Sequence, residues 1–364
     1  MHESNTPLIR LAKRDAMPKG QVWAIRGASF LVAIVISALI FLVLGNNPLS
    51  AFGTMVAGSL GKPTAIRQTV KIAVPLLGTA LAIAPCFKMR FWNIGAEGQI
   101  TAGAVGASYF ALFWADKLPG PVLLIVMALA GAVCGGLWAL VPAFFKAKWG
   151  TNETLFTLML NYIVLGYVKY LQAGPWGADL SANGYPKIPM FDANAMLPTV
   201  LGVHIGWIVV LVMTVLMFVY LKYCKGGYEI AVVGESVRTA QYAGMNVSHI
   251  VMRTMFLSGG IAGLVGFMQV SGASGSLTEN TAGGIGFTAI TVAWLAKLNP
   301  FVMVFIAALL AVLEKGADTI QTVYAIPASA AEMLTGIILF FMLGCEFFIN
   351  YRLIFRGKGE HKHG

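Results

Sequence analysis

The stretch Phe91–Ala104, FWNIGAEGQITAGA, differs from the sequence on both sides of it. Apolar segments flank it, whereas it carries Asn93, Glu97, Gln99 and Thr101 among glycines and alanines. A carboxylate at the centre of a bilayer costs about 2–4 kcal/mol on insertion scales. Two interpretations account for Glu97. In one it is an interfacial carboxylate at a helix N-terminus, where Asn93 caps free N–H groups and the helix dipole favours negative charge. In the other, the stretch is a polar hinge that lines a substrate path.

The composition identifies the broad class of the chain. Hydrophobic residues make up 58% of its 364 residues and charged residues only 11%, with a mean hydropathy of +0.77. A soluble domain would carry about twice that share of charge. Apolar segments follow one another with short connections, and the 41 glycines suit helices that pack closely through small residues. These features predict one all-α, polytopic membrane domain and exclude the soluble classes.

The net charge of +10 does not by itself indicate a nucleic-acid partner, because membrane proteins collect Lys and Arg in cytoplasmic loops. We therefore expect contact with membrane lipid and no nucleic acid. The cysteines lie in or beside apolar runs without a CxxC spacing, which favours structural thiols over a metal or redox site. They are Cys86, Cys134, Cys224 and Cys345.

Hydropathy divides the chain into a polar tail at 1–26, a membrane domain at 27–350 and a second polar tail at 351–364. A helix needs about 20 apolar residues to cross a bilayer. About ten transmembrane segments are predicted, some of them short: 27–44, 68–87, 95–114, 121–141, 154–173, 201–221, 251–271, 286–297, 300–315 and 329–349. The segment 286–297 is led by glycine and is expected to cross only part of the bilayer. The stretch 316–327 is a second candidate for a re-entrant segment.

Most of the 25 lysines and arginines fall on one side of this threading, which predicts that both termini are cytoplasmic. The pattern is typical of a multi-pass protein of a bacterial-type cell membrane. The longest external loop is then 174–198, which is either a docking surface for an external partner or a passive connector. The longest cytoplasmic loop is 222–250.

The cytoplasmic loop carries its own helical signal. Gly226-Gly227 is expected to break the preceding helix, and Glu235–Ala243 has helical character. Small residues on this helix would let it fit a groove in a partner, whereas composition alone favours an ordinary interfacial helix. We assign five residues to the partner contact: Glu235, Arg238, Ala240, Ala243 and Gly244. Gly244 is expected to be the C-cap of this helix.

Four stretches resemble a known family. FWNIGAEGQITAGAVGA at 91–107 resembles the signature of permease subunits of ABC importers in the branched-chain amino acid, ribose and nucleoside superfamily. Three further stretches resemble motifs of the nucleoside and simple-sugar branch of that superfamily. They are NETLFTLMLNYI at 152–163, VVGESVRTAQYAGMNVSHIVMRTMFLSGGIAGLVG at 232–266 and GIGFTAITVAWLAKLNP at 284–300. Trp294 and Ala296 stand where that family more usually has Leu and Gly. Together the motifs are spread over most of 65–345.

The resemblance implies the fold of a type II ABC importer permease and an assembly of several parts. An extracytoplasmic substrate-binding lipoprotein would deliver the solute, and two permease chains, usually a heterodimer of paralogues, would form the path. A cytoplasmic ATPase subunit would bind ATP and Mg and drive the cycle. This chain contains no G-x-x-x-x-G-K-[ST] phosphate loop, so we expect a transport subunit that binds no cofactor or metal and is not an enzyme.

In such an assembly the solute moves by alternating access, and the nearest branch carries nucleosides. Simple sugars of the ribose or galactose type are the alternative, and a further sister branch carries branched-chain amino acids. Because the solute must leave again, we expect a weak site of amides, hydroxyls and aromatic faces. The candidate path residues are Phe91, Trp92, Asn93, Glu97, Gln99, Asn161, Phe287 and Thr291.

Two other classes fit parts of the sequence. An ion-coupled secondary transporter needs intramembrane carboxylates, and the best candidates lie near predicted span ends: Glu97, Glu314, Glu332 and Glu346. A rhomboid-type serine protease would use Gly272-Ala273-Ser274-Gly275, but it needs a histidine base in a later span. No histidine occurs between His249 and His361, which disfavours the protease. His204, near an external helix start, is expected to be a surface residue.

Overall fold

The computed structural model describes residues 9–13, 17–177 and 186–355, and most of these residues are helical. The helices are α1 (Lys19–Val43), α2 (Pro48–Leu60), α3 (Pro63–Lys88), α4 (Ala96–Phe113), α5 (Gly120–Trp149), α6 (Glu153–Ala173), α7 (Gly206–Tyr223), α8 (Lys225–Glu235), α9 (Val237–Tyr242), α10 (Val247–Met268), α11 (Ile285–Leu295), α12 (Pro300–Tyr324) and α13 (Ala328–Asn350). A 3-10 turn at Ala193–Ala195 and a π-helical turn at Gln269–Ser274 accompany them. The strands are β1 (Ile9–Lys13), β2 (Thr199–Val200), β3 (Val203–His204) and β4 (Tyr351–Phe355).

All ten predicted membrane segments are helical, which confirms the all-α polytopic class. In the described part of the chain, eight helices are long and apolar enough to cross a membrane. The two others are α4 and α11. Glu97 and Gln99 lower the hydropathy of α4, which has 18 residues. The 11 residues of α11 span about 16 Å of a hydrocarbon core that is about 30 Å thick, so α11 is a half-helix.

Several predicted element ends differ from the structure, among them the start of the segment 201–221, because α7 begins at Gly206. The stretch 316–327 is not re-entrant, because α12 continues unbroken to Tyr324 and the next proline after Pro300 is Pro327. The first helix begins at Lys19 and not at residue 27, since no proline occurs between Pro18 and Pro48. The external loop 174–198 is only partly described, because residues 178–185 lie outside the described residues.

One compact unit comprises residues 1–58 and 316–364. Here α1 packs against α13, and the Arg26 guanidinium pairs with the Glu346 carboxylate. In the two polar tails, β1 and β4 pair antiparallel, with Ile9 opposite Phe355. A two-stranded ribbon therefore joins the two ends of the chain in this unit.

The second unit, residues 59–315, contains the family-like motifs. Its centre is formed by α4, α5 and α10, whose backbones touch at glycines. A Cβ atom at Gly263 of α10 would overlap the carbonyl oxygen of Gly131 on α5, and one at Gly266 would overlap the carbonyl oxygen of Ile100 on α4. Close packing through small residues, predicted from the glycine content, is confirmed at this three-helix contact.

Replacing Gly263 with alanine is expected to lower the thermal stability of the protein, because the added methyl group must push α10 away from α5 and overpacking costs about 1–3 kcal/mol. Gly260→Ala in the same helix is the matched control. Its Cβ would meet only the Ala132 carbonyl oxygen at 3.4 Å, so we expect little change. Thermal unfolding in detergent compares the two variants, and equal melting temperatures would contradict the close contact at Gly263.

Candidate functional site

Glu97 joins two helix N-termini. It lies in the first turn of α4, and its carboxylate accepts hydrogen bonds from the backbone N–H groups of Gly284 and Gly286, each at 2.7 Å. Those groups belong to the start of α11, where Gly284 has a φ of +82°, a conformation that favours glycine. Both helix dipoles favour a negative charge at this point. Glu97 therefore holds the half-helix α11 against α4 from a position that is only 6% exposed.

Asn93 organises the turn that precedes α4. Its Oδ1 accepts the Gly95 N–H at 3.0 Å and the Gln99 Nε2 at 3.0 Å, while its Nδ2 donates to Gln99 Oε1 at 3.1 Å and to Ser258 Oγ at 3.3 Å. Asn93 and Gln99 are both buried. Asn93 thus fixes the turn before α4, but it does not cap a free N–H group of the helix as predicted, because the Gly95 that it bonds is itself the N-cap residue.

Asn161 of α6 holds the same turn from the other side. Its Oδ1 accepts the Gly98 N–H at 2.9 Å and its Nδ2 donates to the Ile94 carbonyl at 3.1 Å. One turn earlier on α6, Thr157 accepts the Ile94 N–H at 3.3 Å. Four predicted path residues, Asn93, Glu97, Gln99 and Asn161, are therefore brought together as a buried hydrogen-bonded group that fixes the ends of α4 and α11.

The aromatic candidate residues are not part of that hydrogen-bonded group, and they differ from one another in exposure. Phe91 is 4% exposed, whereas Trp92 is 47% exposed and stacks on Trp294 of α11, with ring centroids 5.6 Å apart. Phe87 contacts both tryptophans, at 5.6 and 5.7 Å between centroids. Trp92 therefore contacts α11 near the C-terminal end of that helix, on its exposed side.

One face of α11 is open. Phe287 and Trp294, seven residues apart, are 45% and 42% exposed, and the half-buried Thr291 lies between them on the same helical face. We call Trp92, Phe287, Thr291 and Trp294 the open face. It contains three of the eight predicted path residues and presents aromatic rings and one hydroxyl, as expected for a weak site.

Sequence reasoning missed several members of this arrangement. Trp294 was noted only as a departure from the family pattern, although its spacing of three from Thr291 and seven from Phe287 puts all three on one face. Ser258, Gly284 and Gly286 carried no local signal, because their partners in the structure, Asn93 and Glu97, are more than 160 residues away in sequence.

The cytoplasmic loop 222–250, where one helix was predicted, contains two helices, α8 and α9. Helix α7 ends at Tyr223 and Cys224 is extended, so Gly226-Gly227 lies in the first turn of α8 and does not form the break. The extended Ser236 separates α8 from α9, and its hydroxyl accepts the Thr239 N–H at 3.2 Å. Gly244 has a φ of +75° and directly follows the Ala243 C-cap of α9, in agreement with the predicted termination.

The small residues of α9 do not form one exposed face. Ala240 is fully buried, whereas Ala243 is exposed together with Glu235 and Arg238. Ala243 and Gly244 line a cavity of about 520 Å³ beside an ion pair between Arg253 and Glu229, whose atoms are 2.8 Å apart. A partner can thus reach Glu235, Arg238, Ala243 and Gly244 directly, but Ala240 belongs to the core of this chain.

That core connects α9 with the turn before α4. Ala240 and Phe91 are members of one apolar cluster, which also includes residues of α3, α5, α8 and α10. The cluster comprises Cys86, Met89, Phe91, Ala139, Ala143, Ile230, Val233, Ala240, Ile250, Val251 and Met255. Phe91, the neighbour of Trp92, therefore belongs to the same apolar core as Ala240 of α9.

His204 is not a surface residue. The tight turn at Leu201 and Gly202, both with positive φ, directs the β3 strand inward, and His204 is only 1% exposed. Neither ring nitrogen has a hydrogen-bond partner in the described part of the chain. The Ser274 hydroxyl instead donates to the carbonyls of Gln269 and Ser276, at 3.1 and 2.8 Å. The Gly272–Gly275 motif is therefore a turn, without the serine–histidine contact that a protease requires.

Burial lowers the pKa of His204 below its usual value of 6.5, and the nearby Lys71 charge lowers it further. The unfolded chain then binds more protons than the native protein, so native stability falls as the pH drops below about 6.5. We expect His204→Phe to lose less melting temperature than the wild type between pH 7.5 and pH 5.5. His249→Phe, at an exposed histidine, is the control. Parallel pH profiles for wild type and His204→Phe would contradict this account.

Among the described residues, no group of three His, Cys, Asp or Glu side chains is placed to hold a metal ion. The site combines three parts. The first is a buried hydrogen-bonded group, Asn93, Glu97, Gln99 and Asn161, which we call the Glu97 clamp. The others are the open aromatic face and the surface helix α9, whose Ala240 shares an apolar cluster with Phe91. Such an arrangement suits the passage of a small solute and is not a set of reacting groups.

Known proteins resemble the chain over most of its length. The family described as branched-chain amino acid transport system, permease component, matches residues 66–343. The glucose ABC transporter permease protein of Haloferax volcanii is 30% identical over 95% of this chain and 93% of its own. The nucleoside ABC transporter permease protein of Lactococcus lactis is 29% identical over 89% and 92%, and the guanosine ABC transporter permease protein of Bacillus subtilis is 29% identical over 86% and 91%.

The family match extends from α3 to α13 and includes the Glu97 clamp, the open face and α9. The relatives named above are permease subunits of ABC transporters, which are transport components. The chain belongs to the branched-chain amino acid transport system permease family and is a multi-pass permease subunit of an ABC importer, not an enzyme.

Proposed function

We propose that this chain imports a nucleoside by alternating access, as one of two paralogous permease chains in a heterodimer. A cytoplasmic ATPase supplies the driving force with its bound ATP and Mg, and an extracytoplasmic binding lipoprotein delivers the solute. The family assignment supports an ATPase and a binding protein as partners. The paralogous second chain and the nucleoside are parts of the proposal that go beyond that assignment.

The open face of α11 carries the nucleoside proposal. Its exposed rings, Trp92, Phe287 and Trp294, offer stacking surfaces, and base stacking on aromatic side chains contributes about 1–3 kcal/mol per base. The Thr291 hydroxyl can bond to a ribose hydroxyl. Two relatives are named for nucleoside and guanosine transport, which favours the same solute class. A simple sugar is the second candidate, because the Haloferax volcanii relative is named for glucose and is equally similar.

The mechanism uses the shared core beneath α9. ATP binding closes the ATPase subunits, and their motion displaces α9 through its exposed residues Glu235, Arg238 and Ala243. The apolar cluster that holds Ala240 and Phe91 carries this displacement to the turn before α4. Trp92 and Glu97 then move α11, one through its stacked ring and the other through its bonds to the helix N-terminus.

The orientation of the chain is part of the proposal, with both termini in the cytoplasm. Single cysteines at Lys117, after α4, and at Tyr242, in α9, should then react with a membrane-impermeant thiol reagent from opposite sides of intact vesicles. Both positions are exposed, and exposed Cys224 is replaced with serine in the background. Labelling of both positions from the same side would refute this orientation.

Uptake by the assembled importer tests the solute. Vesicles containing this chain, its paired permease, the ATPase and the binding protein are supplied with labelled guanosine or labelled D-glucose in separate assays. The proposal expects ATP-dependent guanosine uptake that unlabelled adenosine reduces and unlabelled glucose does not. Glucose uptake without guanosine uptake would replace the nucleoside with the sugar while leaving the permease assignment intact.

A further inference from the structure

A cavity of about 290 Å³ lies at the start of α11, within residues 59–315. Helix α3 forms one wall, and the loop before α11 forms much of the other. Small-ligand pockets begin at about 300 Å³, so this cavity suits a compact solute or one part of a larger solute. The polar residues that line it are Lys71, Gln269, Asn280, Thr281, Thr288 and Glu314.

The lining chemistry favours a ring that bears hydroxyl groups. The amides of Gln269 and Asn280 and the hydroxyl of Thr288 can each donate and accept hydrogen bonds, as an alcohol does. Lys71 and Glu314 contribute one positive and one negative charge, so the lining carries no net charge and does not select an ion.

The apolar part of the lining is aliphatic. Pro75 and Leu76 are buried and offer a surface for the C–H face of a ring, while Ile72 and Ile285 complete it. No aromatic side chain is among the described residues that line the cavity, so it offers no stacking surface for a nucleobase. A base at the open face and a sugar in the cavity would therefore find different environments.

We propose that this cavity binds the sugar part of the transported solute. The inference rests on the proposed function and assigns the solute class by its chemistry, a five- or six-membered ring with several hydroxyls. That chemistry has two sources, the ribose of a nucleoside and a free monosaccharide. The cavity is a transient site, since the solute must leave it again.

The cavity shares a turn with the Glu97 clamp. Gly283 and Ile285 line the cavity, and the alternate residues Gly284 and Gly286 donate their N–H groups to Glu97. A solute that enters the cavity contacts the same turn that attaches α11 to α4. Arrival of the solute is thereby linked to the position of the half-helix.

Thiol protection in the assembled importer tests this site. Thr288→Cys is introduced with Cys224 replaced by serine, and the rate of labelling by a small methanethiosulfonate reagent is measured. Guanosine, D-ribose, D-glucose and L-leucine are added separately at saturating concentration. Asn280→Cys, at an exposed lining position, is used if the cysteine at 288 does not label, and Asp116→Cys, exposed and outside the lining, is the control.

We expect a hydroxyl-bearing probe to slow labelling in the cavity about fivefold or more while Asp116→Cys labels at an unchanged rate. Protection by guanosine identifies a nucleoside as the source of the ring, and protection by D-ribose or D-glucose without protection by guanosine identifies a free sugar. Protection by leucine alone, by none of the probes, or equally at Asp116→Cys overturns the proposal.

A second variant examines the hydrogen bonding. Gln269→Leu keeps the side-chain size but removes the amide, and we expect the half-protecting concentration to rise about tenfold, as for loss of one hydrogen bond. An unchanged half-protecting concentration counts against the site. Uptake is measured on the same preparation. Guanosine uptake without protection would overturn the proposed sugar site in the cavity but not the proposed nucleoside transport. Protection by glucose without guanosine uptake supports the cavity and removes the nucleoside from the proposed function.

Discussion

Glu97→Gln is expected to reduce ATP-driven uptake about tenfold or more while the importer still assembles. The carboxylate accepts two backbone N–H groups at 2.7 Å, and hydrogen bonds to a charged group contribute about 1.5–3 kcal/mol each. A glutamine can accept only through its oxygen, so its NH₂ group faces the second N–H donor. The N-terminus of α11 then loses one partner, and the half-helix is no longer fixed against α4.

Glu279→Gln is the matched control for this prediction. Glu279 lies in the loop that leads to α11, and its exposed carboxylate pairs with Lys169 at 3.1 Å. Exposed ion pairs contribute about 0–1 kcal/mol, so uptake by this variant should stay near the wild-type level. Uptake is measured in vesicles and divided by the amount of intact complex. Normal uptake by Glu97→Gln would remove the clamp from the transport mechanism.

Tyr242→Ala is expected to abolish both uptake and the ATPase activity that loaded binding protein stimulates. Tyr242 is 90% exposed at the end of α9, next to the exposed Ala243. A large aromatic ring left uncovered on a short surface helix is typical of an interface, where tyrosines are enriched among residues that contribute about 2 kcal/mol or more. Its loss should weaken the ATPase contact without disturbing the core of this chain.

Tyr170→Ala, at a tyrosine of α6 that is 64% exposed, is the control and should leave both activities unchanged. Purification through a tag on this chain measures how much ATPase remains bound in each variant. Wild-type stimulation by Tyr242→Ala would place the contact elsewhere in the loop 222–250. Ala240→Trp is a poor test of coupling, because Ala240 is fully buried and the variant would disturb the fold itself.

The helices could be predicted because long apolar runs have few alternatives in a membrane, and even the half-helix α11 followed from its short apolar run after glycine. Helix α2 was not predicted, and α12 is longer than its predicted segment 300–315, because the helix continues through the charged residues Glu314, Lys315 and Asp318. Charge alone does not end a helix, and α12 continues past these residues to Tyr324.

Only those features of the candidate site that depend on residues close together in sequence could be predicted. Glu97 and Asn93 were recognisable as unusual, but the capping interpretation assigned the free helix N–H groups to Asn93, whereas in the structure Glu97 accepts the N–H groups at the start of α11. That interpretation could not name α11, because the partner residues Gly284 and Gly286 are brought to Glu97 by tertiary packing. For Ala240 and Ala243, small size indicated close packing but could not say whether the neighbour was this chain or another.

ATP-driven uptake through the reconstituted importer tests most directly the claim that this chain is a permease driven by a separate ATPase. Uptake of guanosine and of D-glucose is followed in vesicles with ATP on the ATPase side, with an ATPase subunit that cannot hydrolyse ATP, and with an imposed sodium or proton gradient. Our account predicts uptake only with ATP and an active ATPase. Uptake driven by an ion gradient through this chain without the ATPase would contradict it and would indicate a secondary transporter.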